Sequence, residues 1–563
     1  MTYVNIISKV RKAILLIITL FLWLLIIFQS AVIGHTVYRL VFVGWWPELD
    51  SSLITPQKIL VGFVLISSIV SIISLFLPLN SFTFISIFLI TIALSFIFKP
   101  KFTIQIKDKK ILGLLILILL FSLETATRRP NNPDTNLYHA QAIHWLESFP
   151  VVPGLGNLHG RLAFNSIWFI DNAFYSLVWL TGQSLHVISG FYFFLFSAFA
   201  LTIIARSEDR DNKISLTALL IIFFAFQFLA GDISSPGTDT PTALTVWLVL
   251  LIALSKENLM KDSERFLLLI LLPIFAVTIK LSSVLILLIP LGFFIKGLGD
   301  KNHKSSKWIT LLTGFILIPY LIRNIVQSGY LLYPFPTLDI FQFAWKVPIS
   351  RVIEERDAIL VWGRLPGQPI KAVLDMPIWT WLPAWFNELT LTRRLIAILT
   401  AASPLFFVFN TLTFKTTRTY QLLHSVFIIG SYFWLLTSPD FRFGFSFLIP
   451  TIILSLLPFF QILENFYSGF NAGLVKISTY ALIFFVLFTF ASTLEMESVL
   501  SRAVIPRDYD QVKTQPCDLD DLQIYCSVEY NACSYHDFPC IPQQKDWVHL
   551  LGNELREGFF GIK

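Results

Sequence analysis

Apolar residues run in blocks of about 17–25 along most of this chain, the length that carries a helix across about 30 Å of hydrocarbon. Short polar connections separate the blocks. The pattern predicts spanning helices near residues 13–42, 59–77, 82–98, 111–124, 184–205, 214–231, 240–255, 265–280, 281–297, 308–326, 394–412, 420–437, 443–461 and 472–493. Strands of a barrel would alternate and need only about 9–11 residues. The stretch Phe164–Thr181 carries Asp171 and Asn172 and reads as a partly buried or interfacial helix. The first block continues well past the length of a secretory h-region, without a small-residue cleavage site, so it reads as a span.

Composition agrees. Of 563 residues, 55% are hydrophobic and 14% charged, with a mean hydropathy of +0.70, against about 25% charge in a soluble domain. The fold class expected is an all-α polytopic membrane protein. The net charge of +6 does not indicate nucleic acid, because the basic residues sit in short loops and report topology. Lys99–Lys110, Lys256–Arg265, Lys296–Lys307 and Lys415–Arg418 fall on one side, expected to be the cytoplasm. The other side receives loops 125–183 and 327–393 and the tail. Lys9, Arg11 and Lys12 fall outside by the same parity, against the rule. The expected location is a bacterial cytoplasmic membrane, multi-pass, with the C-terminus outside.

Three regions follow: N-terminal spans 1–110, a membrane domain 111–496, and an extracytoplasmic tail 497–563. The tail holds all four cysteines, Cys517, Cys526, Cys533 and Cys540. An even set in one small polar region points to two disulfides in an oxidising compartment. Three pairings are open. No C-x2-C pair supports zinc. No internal repeat of the transporter kind is visible.

The first outside loop reads Arg128-Arg129-Pro130-Asn131-Asn132-Pro133-Asp134-Thr135-Asn136-Leu137-Tyr138-His139. A helix is expected after Pro133. Tyr138, Ala142, Trp145, Leu146 and Phe149 form one apolar face, as on a helix lying along a membrane surface. Asn136, His139, Gln141, His144 and Glu147 form the other, expected to be solvated. Asp134 reads as the N-cap of this helix, as a general base at the mouth of a membrane cavity, or as both. Charges near membrane depth are functional by default. Lys280 and Arg323 are phosphate ligands or snorkelling side chains. Asp440 and Arg442 are a local ion pair or part of a cavity, where a guanidinium fork suits phosphate oxygens. Asp239 caps a helix or faces that cavity. Arg161 and Glu388 complete the candidates. The tryptophans of 327–393 form an interfacial belt or a saccharide platform.

An Asp-bearing loop after an early span, then an interfacial helix and a Pro/Gly turn, resembles the first outside loop of the GT-C superfamily of polytopic glycosyltransferases. Ser235-Pro236-Gly237-Thr238-Asp239-Thr240-Pro241, Thr278-Ile279-Lys280-Leu281-Ser282 and Arg323-Asn324 through Tyr330 are similar to stretches in bacterial GT-C-like membrane proteins. The likeness covers about residues 111–460. It implies a GT-C-like helical bundle with interfacial helices in the first loop. It also implies inverting transfer from a polyprenyl-phosphate-linked sugar donor to a saccharide, lipid or protein acceptor. Asp134 would be the base, and Lys280, Arg323 and Arg442 would hold the donor phosphate. Asn136, His139, His144, Arg161, Asp239, Glu388 and Asp440 would line the cavity. Two departures stand out. The loop has Asp134-Thr135-Asn136 where the superfamily often pairs two acids, so no cofactor is called for and a divalent metal lacks support. Four spans precede the loop where the superfamily usually has one. The alternatives are a flippase or transporter for a lipid-linked saccharide, and a multi-span polysaccharide polymerase or ligase. No Walker or GxGxxG motif provides for a nucleotide sugar.

Overall fold

The structure, a computed structural model, describes residues 16–43, 55–102, 106–206, 212–255, 260, 262–297, 303–414, 416–466, 470–494, 506–529, 531–543 and 545–562. Lys9, Arg11, Lys12, Lys256, Lys261, Lys301 and Lys415, used above for topology, lie outside the described residues.

Each predicted apolar block folds as helix. Helices α1 (Leu16–Val37), α2 (Pro56–Ile73), α3 (Ser81–Phe98) and α4 (Lys109–Ala126) precede the first long loop. That loop carries α5 (Ala140–Ser148) and α6 (Ile167–Phe174). Then come α7 (Ile188–Arg206), α8 (Asn212–Phe228), α9 (Asp239–Leu254), α10 (Asp262–Ile279), the short α11 (Leu288–Gly297) and α12 (His303–Ser328). The second loop holds α13 (Ile349–Arg364) and α14 (Ile378–Glu388). Helices α15 (Leu391–Phe414), α16 (Arg418–Thr437), α17 (Phe441–Leu456) and α18 (Phe470–Thr493) close the bundle. Among the described residues, seven helices are long and apolar enough to cross a membrane, and four shorter apolar helices accompany them. The chain is a multi-helix membrane protein.

Local chemistry sets the ends. Thr55 caps α2, with Pro56 in its first turn; Asn80, Asp108, Ser166, Thr417 and Asp440 cap α3, α4, α6, α16 and α17. Each accepts a backbone N–H that the helix cannot satisfy. Helix α10 stops at Ile279, Lys280 is extended, and a 3-10 segment, Leu281–Leu287, follows. The spans expected at 265–280 and 281–297 thus meet in a turn at Lys280, and the second packs back against α10.

The bundle core lies around α7, α9 and α10, whose side chains are nearly all buried. Phe63 of α2 packs against Trp168, Phe191, Tyr192 and Phe275, so one ring joins α2, α6, α7 and α10. Helices α3, α15 and α18 leave rows of large apolar side chains exposed, as lipid-facing helices do.

The tail differs from an all-α chain. Strands β1 (Thr514–Leu519) and β2 (Leu522–Ser527) pair antiparallel, and β3 (Cys540–Ile541) adds parallel to β2. Strands β4 (Val548–Leu550) and β5 (Phe559–Gly561) form a second ribbon. Such short strands bury too little to hold alone, and cross-links Cys517–Cys526 and Cys533–Cys540 staple them. This settles which of the three pairings forms.

The tail docks on the first loop. The amides of Cys533 and Ser534 donate to Asn136 O at 2.8 and 2.9 Å. Gln141 Nε2 donates to the Ser534 and Asp537 carbonyls, and Gln141 Oε1 accepts from Cys540 N–H. His144 stacks between Tyr535 and Phe538, and Tyr535 donates its hydroxyl proton to Glu147. Much of the polar face of this helix is therefore covered by the tail rather than solvated, and Trp145 and Phe149 of the apolar face also pack on Phe538 of the tail.

Candidate functional site

Several loop-to-helix junctions bring charge to one place. The first is the start of the loop helix. Asn132 Oδ1 accepts the Asp134 amide at 3.0 Å, and Asn132 O accepts from Thr135 N–H at 2.9 Å. Asn132 caps this helix, and the Asp134 side chain makes no capping bond. The Asp134 carboxylate points instead to two guanidinium groups. Its Oδ1 lies 3.5 Å from Arg161 Nη1 and its Oδ2 lies 3.5 Å from Arg442 Nη1. Tight charge-assisted bonds run at about 2.7–2.9 Å, so Asp134 is loosely held.

Arg161 belongs to the 3-10 segment Gly160–Ala163. Its Nε stands 4.0 Å from Glu355 Oε2 on α13, and its guanidinium lies over the Tyr138 ring. Gly160 permits this approach, since a Cβ there would sit 2.5 Å from Glu355 Oε1. Arg442 opens α17, where Asp440 Oδ1 accepts its amide at 2.9 Å and Asp440 Oδ2 lies 3.6 Å from its Nη2. Asp440 and Arg442 are thus a local pair and members of the cluster at once.

The remaining junctions meet at Phe443. Lys280 Nζ lies 3.7 Å from that ring's centre, and the Arg442 guanidinium 5.5 Å from it. Lys280 also forms an ion pair with Asp239 at the start of α9. Asp232 completes the cluster: it accepts from Asn132 Nδ2 at 3.1 Å and from Thr240 Oγ1 at 3.3 Å. Gly237 leaves room for this, because a Cβ would stand 3.1 Å from Asn132 Nδ2, 3.5 Å from Asp232 Oδ2 and 3.6 Å from His139 Cε1.

Burial decides protonation around the cluster. It pushes the Asp232 carboxyl up to about 7, with the Asp239 charge adding to the effect. It pushes His139 down to about 4, so this ring is neutral at pH 7. It also raises Glu355. His139 Nδ1 is buried without a partner. Of the groups at this site, Asp134 combines partial exposure with loose pairing.

Asp134, His139, Arg161, Asp239, Lys280, Asp440 and Arg442 are brought together. Asn136 and His144 are not: they hold the tail, Asn136 through its carbonyl and through a 3.0 Å bond to Asp510 Oδ2. Arg323 lines a separate buried cavity with Trp145 and Gln327. Glu388 is exposed at the end of α14. Sequence reasoning passed over Asn132, Asp232, Glu355 and Phe443. Asp232 follows directly on an apolar block, a signal open to the same argument that picked out Asp239. Glu355 gave no signal, since only the approach of Gly160 brings it in.

Beside Glu355 opens a cleft of about 530 Å³ lined by Gly156, Gly160, Arg351, Glu354, Glu355, Gln543, Lys545, Asp546 and Trp547. It lies between the second loop and the cysteine-bearing tail. Among the described residues no cluster of three or more His, Cys, Asp or Glu has the arrangement of a metal site.

Residues 16–449 match a family described as a domain of unknown function, DUF8201. That stretch contains every charged residue of the cluster and ends before the tail. No curated protein and no solved structure matches the chain.

Proposed function

We propose that this chain, which belongs to the DUF8201 family, is a membrane glycosyltransferase of GT-C type working on the outer face of a bacterial cytoplasmic membrane. The observation that carries this reading is the Asp134 carboxylate: free of capping, partly exposed, and between two guanidinium groups at 3.5 Å each. A carboxylate so placed can take the proton of an acceptor hydroxyl. The acceptor oxygen then bonds to the anomeric carbon, and the bond from that carbon to the phosphate oxygen breaks with its electron pair. The negative charge gathers on the polyprenyl phosphate. Arg442, and Lys280 across the Phe443 ring, stand ready to stabilise it, an electrostatic task. Attack opposite the leaving group inverts the anomeric centre.

Two features support the outer face. The tail carries both disulfides, which last in an oxidising compartment, and it rests on the same loop as Asp134. The 530 Å³ cleft is lined by Glu355, which stands 4.0 Å from Arg161 of the site; it would take a polar acceptor, while the lipid tail of the donor stays among the helices.

The test is sugar transfer by membranes containing the wild type or Asp134→Asn, supplied with radiolabelled polyprenyl-linked sugars. Transfer by the wild type and its loss in a folded variant are expected. Equal transfer by both would remove Asp134 from the mechanism, and no transfer from any such donor would remove the function.

A further inference from the structure

Arg323 sits on α12 with 2% of its surface exposed. Its Nη2 donates to Ser74 Oγ at the end of α2. Its Nε–H has no partner, and among the described residues no carboxylate pairs with it. A guanidinium does not give up its proton, so this charge is buried without compensation, a strongly unfavourable state.

Two further buried atoms nearby lack partners: Trp145 Nε1 on the loop helix and Gln327 Oε1 one turn along α12. Arg323, Trp145 and Gln327 line one cavity, with apolar walls that include Val152, Leu162 and Phe169. Its volume is about 20 Å³, room for one water-sized body. Water would satisfy hydrogen bonds and leave the charge. A monatomic anion satisfies both, whereas phosphate, sulfate or a carboxylate is too large. Rotating the Gln327 amide about its last bond turns NH2 inward, an arrangement equally consistent with the side-chain shape. Three of the lining residues then carry an unpartnered donor, while Asn165 and Ser166, the other polar residues of the wall, donate to the Tyr320 and Ile279 carbonyls.

We infer that this cavity binds one chloride-sized monovalent anion, held by Arg323 Nε–H, Trp145 Nε1–H and the Gln327 amide. The ion ties the first-loop helix to α12 and, through Arg323 and Ser74, to α2. It thus fastens the loop that carries Asp134 to the bundle at a second point, independently of any sugar chemistry.

The test uses the purified full-length protein in detergent and radiolabelled chloride in equilibrium dialysis. Thermal unfolding in sodium chloride and sodium gluconate at matched ionic strength accompanies it. The expected result is about one retained chloride per chain, displaced by bromide, with a Tm that climbs with the logarithm of chloride concentration as linkage requires. Trp145→Phe keeps the ring and removes one donor, and should weaken chloride binding at least about tenfold. Arg323→Met should abolish both binding and the chloride dependence of Tm. If the wild type retains no chloride and melts alike in both salts, the cavity holds water only and the inference fails. The wild-type result decides even if Arg323→Met does not fold.

Discussion

Asn132 Oδ1 accepts the backbone N–H of Asp134 at 3.0 Å, and the loop helix is thereby capped without the Asp134 carboxylate. The carboxylate is left to face Arg161 and Arg442. Asn132 does the capping, which leaves the Asp134 carboxylate open to the proton transfer proposed for it.

This division makes the two residues separable by mutation. Asn132→Ala should lower stability by about 1 kcal/mol through loss of the cap, and somewhat more because Asp232 loses a donor. Asp134→Asn should change stability by less than about 1 kcal/mol, since its ion pairs are long and partly solvated. It should reduce sugar transfer by about 10²–10⁴-fold. Thermal unfolding alongside a transfer assay checks both; an Asp134→Asn protein that unfolds readily would return the residue to a structural role.

Asp239 and Lys280 are mostly shielded partners. Removing either takes from the other its nearest opposite charge, which costs about 3 kcal/mol. Lys280→Met should therefore be markedly unstable, and Asp239→Asn with Lys280→Met should recover much of the loss. Transfer should stay low in the double variant, because the proposed mechanism also places Lys280 near the phosphate. Recovery of both stability and activity would confine Lys280 to a structural role.

Glu147 and Asp232 predict a pH dependence of stability. Burial raises Glu147 from 4.5 to about 7 and Asp232 from 3.8 to about 7. Between about pH 4 and 7 the folded protein holds protons that the unfolded chain has released, so their contribution to stability falls as pH rises through that window and levels off above it. Glu147→Gln and Asp232→Asn should each flatten the profile. Unfolding measured from pH 5 to 8 would show it, and an unchanged slope in both variants would contradict the assignment.

The Cys533–Cys540 bridge closes a short loop, seven positions apart in sequence, that carries Tyr535 and Phe538 onto His144. Replacing both cysteines with serine should weaken the docked tail by roughly 2–3 kcal/mol on the chain-entropy account. Limited proteolysis should then cut within 506–562 faster than in the wild type, with the helical bundle left whole. Equal protection would mean that the hydrogen bonds to Asn136 and Gln141 suffice.

Much of the architecture was legible in the sequence because hydrocarbon imposes one rule on every span. The backbone must satisfy itself, so a long apolar run has to be helix. Asp134, Lys280 and Arg442 stood out for the related reason that charge is rare at such depth. Arg323 stood out equally, yet it faces a different cavity, because depth in the membrane says nothing about which neighbour a helix face meets. His139 and His144 show the same limit: they lie on a face that any periodicity argument assigns to water, and tail residues about 390 positions later cover part of it.

The chain by itself determined that it is a helical membrane protein, roughly where its helices run, and that its cysteines would cross-link a small polar tail. These depend on local composition and period, which each segment carries within itself. Only the tertiary structure decided which cysteines pair, that Asn132 caps in place of Asp134, that Asp232 and Glu355 join the cluster, and that Arg323 stands apart. Each of these rests on contacts between distant segments, whose register follows from how whole helices pack.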